Sequence, residues 1–200
     1  MKDSLTIFLI QLVFVFTVSG QKTIIKNIPE ETMKQFNTFG TTVLKSVQFA
    51  DKNGTNYLLI TMEEASKDDY HSKTLLVQHF KDGPNKQPIL IRQIIDFERD
   101  CPVDNQLNLL ENSLTIGDLD KNGYNEIIFL YTTGCKGDVS PSGLKLMVLE
   151  NGNKAAIRGK TVIKGFNFPQ DKDMDSAFRK LPAIVQNKAQ SLWSKFEQEY

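Results

Sequence analysis

The chain is poor in the side chains that do most protein chemistry. Its 200 residues include two cysteines, two histidines and one tryptophan, and 24 basic side chains are matched by 24 acidic ones, for a formal net charge of zero. A neutral surface without a Lys/Arg cluster argues against nucleic acid and against electrostatic attachment to a membrane, because both draw on basic patches. No HExxH or CxxC spacing exists, so no zinc site follows. His71 and His79 have Glu63, Glu64, Asp68 and Asp69 nearby, but the run 63–72 reads as a solvated loop. No G-x-S-x-G is present, and Ser140-Pro141-Ser142-Gly143 lacks the strand–turn–helix setting of a nucleophile elbow. There is no glycine-rich phosphate loop. Acids are plentiful, yet nothing picks out a pair for sugar hydrolysis. The balance leans away from an enzyme.

Beyond residue 20 there is no long hydrophobic run either. Before it, Lys2 gives a positive start, Leu5 to Val18 is apolar apart from Thr6, Gln11 and Thr17, and Val18-Ser19-Gly20 supplies small residues. That pattern predicts a secretory signal peptide over 1–20, too short to favour a membrane span, with an uncleaved anchor as the alternative. No cysteine near the cleavage point offers a lipid attachment site. The mature chain then starts at Gln21 and forms one β-rich domain over 21–200, exported to the periplasm, the cell surface or the medium. No stable membrane span remains after cleavage. In an oxidising compartment Cys101 and Cys135 pair most simply as a disulfide, closing a loop of about 35 residues and stabilising by on the order of 3 kcal/mol. Two separate buried thiols are the plainer alternative.

What the sequence does have is strands. Lys22 to Ile28 reads as a first one, followed by a short helix opening at Pro29-Glu30-Glu31 with Met33 and Phe36 on its buried face. Val43 to Phe49, Tyr57 to Met62, Thr74 to Phe80 and Ile89 to Phe97 then form a first antiparallel meander over 41–98. Ser113 to Ile116, Ile127 to Thr132, Leu144 to Leu149 and Ala155 to Ile163 form a second over 111–164. Turn-rich links separate them, among them 51–54, 64–72 and 81–87. From Asp173 to Tyr200, Leu181, Ile184, Val185, Leu192, Trp193 and Phe196 recur at helical steps, with Pro182 dividing a short helix from a longer one. The expected fold is mainly β: two four-stranded meanders, packed or continuous in a twisted sheet, with the C-terminal helix covering a face or edge.

The stretch with chemical content is LTIGDLDKNGYNEIIFLY, Leu114 to Tyr131. Asp118, Asp120 and Asn122 alternate, Gly123 supplies a turn with φ above zero, and Glu126 follows. Oxygens at positions 1, 3 and 5 of a tight loop, the carbonyl of Tyr124 at 7 and a carboxylate beyond can encircle calcium. An EF-hand is excluded, because Phe129 stands where its bidentate Glu would be and both flanks read as strands. The bland alternative is an Asn-Gly hairpin turn with polar decoration. Asp51-Lys52-Asn53-Gly54-Thr55-Asn56 matches Asp120 to Asn125 at five of six positions, 69 residues earlier. Either the meander is duplicated or a favoured turn has arisen twice. In the earlier copy Phe49 and Tyr57 replace Asp118 and Glu126, so that loop should bind nothing. After the second loop, Cys135 to Ser142 is either a stiffened loop or a neighbour of the ion, with Asp138 lending an outer oxygen.

DLDKNGYNEIIFLY resembles the calcium loops of FG-GAP and VCBS repeats, in which D-x-D-x-[DN]-G sits between propeller strands. With CKGDVSPSGLKLMVLE and NKAAIRG, the stretch 110–165 is similar to a family of exported flavobacterial proteins labelled surface polysaccharide biosynthesis proteins. Two four-stranded units cannot close a propeller ring. The resemblance implies calcium and an envelope or polysaccharide setting without a mechanism, and the leading expectation is a calcium-stiffened, non-enzymatic exported protein that engages a glycan or an envelope protein. The other reading is an enzyme or auxiliary factor acting on surface polysaccharide.

Overall fold

In the computed structural model, residues 23–38, 41–169 and 171–199 are described, and the expected leader over 1–20 lies outside them. The long apolar and β-branched runs of the first half form strands β2 (Thr42–Asp51), β3 (Gly54–Lys67), β4 (Tyr70–Asp82) and β5 (Pro88–Cys101). Each pairs antiparallel with the next, and β1 (Lys26–Asn27) adds to β2, which gives a first sheet in the order β1-β2-β3-β4-β5. Of the expected Lys22 to Ile28, Lys22 lies outside the described residues, and only two of the others form the strand. Thr23 turns away to donate from Oγ1 to Asn125 Oδ1 across the molecule (2.6 Å), and Pro29 has no N–H with which to extend the ladder. The helix α1 that follows covers Glu30–Met33.

The second sheet is built from β7 (Asn108–Leu109), β8 (Thr115–Gly117), β9 (Glu126–Thr133), β11 (Gly143–Glu150), β12 (Asn153–Lys160) and β14 (Lys172–Met174). Its centre is β9, paired along its length with β11 and on its other side with β8 at one end and β7 at the other. Two small ladders finish the set: β6 (Asp104–Asn105) with β10 (Cys135–Lys136), and β13 (Val162–Ile163) parallel to β15 (Gln198–Glu199).

The two sheets pack face to face. Leu58, Ile60, Leu75 and Val77 of the first interlock with Ile127, Phe129, Tyr131 and Leu149 of the second. The outer face of the second sheet, through Ile128, Leu130, Leu146 and Ile157, is covered by helix α2 (Ala183–Phe196). Val185, Ala189, Leu192 and Trp193 form its buried stripe at the three- and four-residue steps of a helix. Strand β9 is therefore buried on both faces, which is why it reads as a continuous apolar run and not as an alternation. The outer face of the first sheet is partly capped by Ile28 and Phe36 against Tyr57 and Leu59.

Beyond the shortened β1, further sequence readings change. The expected strand Ala155 to Ile163 breaks at Thr161, and Val162–Ile163 pairs with β15 instead. Residues 64–72 are not a loop: β3 and β4 remain paired to Lys67 opposite Tyr70, and the turn shrinks to Asp68-Asp69, with Asp68 at φ +54°. Charged side chains on exposed strand ends hid the continuity. Residues 173–182 are not the start of the long helix. Lys172–Met174 is an edge strand lying so close to β12 that a Cβ on Gly159 would sit 2.1 Å from the Asp171 carbonyl oxygen. A 3-10 turn at Phe178–Lys180 then leads to Pro182 and α2. Cys101, at the end of β5, is disulfide-bonded to Cys135 with Cα atoms 5.5 Å apart, which links the first sheet to the segment leaving β9.

Candidate metal centre

The β8–β9 ladder ends with Gly117 opposite Glu126, so residues 118–125 stand out from it as a loop. That loop is folded by its own side chains. Asp120 Oδ1 accepts from the Asn122 N–H (3.1 Å), Asn122 Oδ1 from the Tyr124 N–H (2.8 Å), and Asp118 Oδ2 from the Gly123 N–H (3.0 Å). Glu126 reaches back, and its Oε2 accepts from the Leu119 N–H at 2.7 Å. Gly123 takes φ +95°, which a side chain would strain.

After these bonds two carboxylate oxygens are left over. Asp118 Oδ1 and Glu126 Oε1 are buried without any hydrogen-bond partner. A buried, unpaired carboxylate oxygen is costly, and native structures seldom leave one without a reason. Glu126 is the more telling of the two, since its side chain is only 1% exposed. Burial pushes its carboxyl up to about 7, the charges of Asp120 and Glu150 push the same way, and the Leu119 N–H opposes them.

Glu150 is the member that sequence reading missed. The β9–β11 register sets Leu149 opposite Ile127, so the last residue of β11 arrives beside Glu126. One oxygen from each of Asp120, Glu126 and Glu150 falls within 4.8 Å of the other two. The signal available beforehand was its place just ahead of Asn151-Gly152, a hairpin turn that fixes the register of β11 on β12 but not on β9.

The expected ligands divide as follows. Asp120 and Glu126 meet in the acidic group with Glu150, whereas Asp118 stands outside it, accepting from the Gly123 N–H through Oδ2 and leaving Oδ1 buried without a partner. Asn122 instead points its Nδ2 at the acids, donating to Asp120 Oδ2 (3.0 Å) and to Glu150 Oε1 (2.5 Å). The amide nitrogen thus lies between two carboxylates, where a cation's charge would be welcome. Tyr124 closes the turn with its N–H, and its ring lies under the Lys52 amine, 5.3 Å from the ring centre. Asp138 is not a neighbour. It bonds locally to Ser140 Oγ (2.7 Å) and follows Cys135, beyond the far end of β9 from Glu126. Eight strand residues separate those ends by roughly 25 Å. His71 bonds Ser66 near the outer turn, while His79, on the same strand, is buried at 1% exposure, so the two cannot share an ion.

The earlier loop at Asp51 lies directly beside the 118–125 loop. Lys52 N–H donates to Gly123 O (2.8 Å), and Asn125 bonds back through its own N–H to Asp51 Oδ2 (3.3 Å) and through Nδ2 to Ala50 O (3.0 Å). Between the two loops opens a cleft of about 530 Å³, lined by Thr23, Asp51, Lys52, Asp118 and Asn125 among others. Comparison with protein-family models, with curated proteins and with solved structures gave no match.

Proposed function

We propose that this protein is an exported, calcium-stabilised β-sandwich that works as a non-enzymatic binding or envelope-associated module. The observation that carries the metal reading is the buried Glu126 oxygen left without a partner in the group it forms with Asp120 and Glu150. Carboxylates are hard ligands with no nitrogen or sulfur donor among them, a set that suits calcium over zinc. Asp118, Asp120, Glu126 and Glu150 would hold the ion. The Tyr124 carbonyl would join them, and Asn122 would too once its amide is turned over. The ion's role is structural: it neutralises acids brought together from the loop and from the adjacent strand β11. The resemblance of the loop to FG-GAP and VCBS calcium loops points the same way. The cleft shaped by the loop is the surface on which a glycan or an envelope protein would dock.

Calorimetry with calcium on the wild type and on Asp120→Ala tests the metal. Binding is expected with Kd in the range of about 10⁻⁴ to 10⁻³ M, as in extracellular modules, and is lost in the variant. At a concentration of about 100 Kd the ion should stabilise by about 2.7 kcal/mol and raise Tm. Absence of both heat and a melting shift at millimolar calcium would reduce the loop to a well-made turn. A glycan-binding screen run beside a hydrolysis assay tests the module. Turnover that disappears with one particular acid would replace it with an enzyme.

A further inference from the structure

The first D-x-N-G loop shares the turn of the second but has no carboxylate oxygen to spare. Asp51 Oδ1 accepts from the Asn53 N–H (2.7 Å) and from Asn56 Nδ2 (2.8 Å), and Oδ2 accepts from the Asn125 N–H. Its carboxylate is fully used, and its last bond leads out of its own loop into the metal loop. Asn125 stands between Tyr124 and Glu126. Its side chain is held as firmly, 2% exposed, between Ala50 O and Thr23 Oγ1. The return contact is Lys52 N–H to Gly123 O. Behind Asp51 the chain of bonds continues through Asn56 Oδ1 to His79 Nε2 (3.0 Å), in the core of the first sheet.

We infer that Asp51 is a positioning residue for the metal loop: it fixes the Asn125 backbone so that Glu126 and the Tyr124 carbonyl face the ion. The inference rests on the calcium reading above. Groups that orient a metal's direct ligands commonly change affinity tenfold or more when removed. The coupling is reciprocal, so an ion in the second sheet tightens the loop of the first. Calcium thus staples the two sheets together at this end of the sandwich through a residue that never touches it.

Asp51→Asn is the sharpest test. It preserves an oxygen for Asn53 and Asn56 within the loop but sets an amide N–H against the Asn125 N–H. Tyr57→Phe is the control, because it removes a bond next door (Tyr57 Oη to Asp82, 2.7 Å) without touching the metal loop. Calcium titrations on the full chain, below the melting point of every variant, should show about tenfold weaker binding for Asp51→Asn and no change for Tyr57→Phe. In the wild type, calcium should slow hydrogen exchange at the Lys52 and Asn125 amides, a readout that needs no variant to fold. Wild-type binding with an unchanged Kd in Asp51→Asn, equal weakening in both variants, or a Lys52 amide indifferent to calcium would each overturn the inference and leave the site intact. No calcium binding by the wild type would remove the site itself.

Discussion

Two loops in this molecule share a hexapeptide almost letter for letter and do opposite things with it. Around Asp51, acceptors and donors balance: every carboxylate oxygen has an N–H, and the loop is a two-residue hairpin with Asp51 opposite Gly54. Around Asp120, acceptors outnumber donors, and two buried oxygens have none. The difference comes from the flanks. Two residues before each shared aspartate stands Phe49 in one loop and Asp118 in the other; six residues after it stand Tyr57 and Glu126. Phe49, Tyr57 and Glu126 are all buried. The same frame therefore buries aromatic anchors in one copy and a carboxylate in the other. The D-x-N-G signature makes a turn; its buried neighbours decide whether the turn is left with unpaired carboxylate oxygens, the feature on which the proposed ion rests.

The largest effect that would break this comparison is removal of an aromatic anchor. Phe49 packs in the inter-sheet core at 2% exposure, next to the His79 ring (5.8 Å between centroids). Phe49→Ala should cost about 3–5 kcal/mol in urea unfolding, with calcium unable to compensate, because the cavity lies in the core and not at the loop. A loss under about 1 kcal/mol would mean that the first loop is not held by its flank.

Acid should separate the two loops next. Burial lowers the His79 pKa from 6.5 to about 4, against the pull of Asp51. The native state then binds fewer protons than the unfolded chain between those values, so the stability that His79 contributes is fully present above about 6.5 and disappears as pH falls towards 4. A shift of that size in a buried group corresponds to about 3 kcal/mol. Glu126 has the opposite sign. Raised from 4.5 to about 7, it favours the metal-free native state at low pH, and that advantage is lost as pH rises through 7. In chelator the two oppose each other between about 4.5 and 6.5, and the stability of the wild type should vary little there. Glu126→Gln removes one of them, so its unfolding midpoint should climb steadily over the same window while its response to calcium vanishes. Identical pH profiles for wild type and Glu126→Gln would contradict this account of the buried acid.

Most of the strand order was legible in the chain because buried strands carry their own signal. Ile127 to Tyr131 and Tyr57 to Met62 are apolar at every or nearly every position since both of their faces are covered. The polar edges carried no such signal. The hairpin tip at 68–69 was lost among charged side chains, and β14 and β15 pair through residues whose side chains favour no particular structure. The site was half legible. Asp118, Asp120 and Glu126 belong to one local pattern, but Glu150 enters only through the register of β9 on β11, a long-range fact. Asp51 as a support for the second loop was hidden for the same reason: a turn motif says how a chain reverses, not what the reversal rests against.

The smallest expected difference is also the most selective. Gly54 and Gly123 occupy the same motif position, at φ +89° and +95°, so an added Cβ is strained in both, by roughly 1–2 kcal/mol. Their surroundings differ. A Cβ on Gly54 meets nothing within 4 Å, whereas one on Gly123 meets Lys52 Cδ at 3.3 Å, the far part of an exposed and flexible side chain. Lys52 can give way, so Gly54→Ala and Gly123→Ala should lose nearly equal stability in the metal-free protein. They should part only when calcium is added. Gly123 lies inside the proposed calcium loop, and its N–H is the donor that holds Asp118, so Gly123→Ala should bind calcium several-fold more weakly, while Gly54→Ala, which reaches the ion only through Asp51, should lose much less affinity. Paired melting curves with and without the ion measure both quantities at once. Equal calcium shifts in the two variants would mean that the Gly123 turn does not set the geometry of the acids, and that the two loops are more alike than their flanks imply.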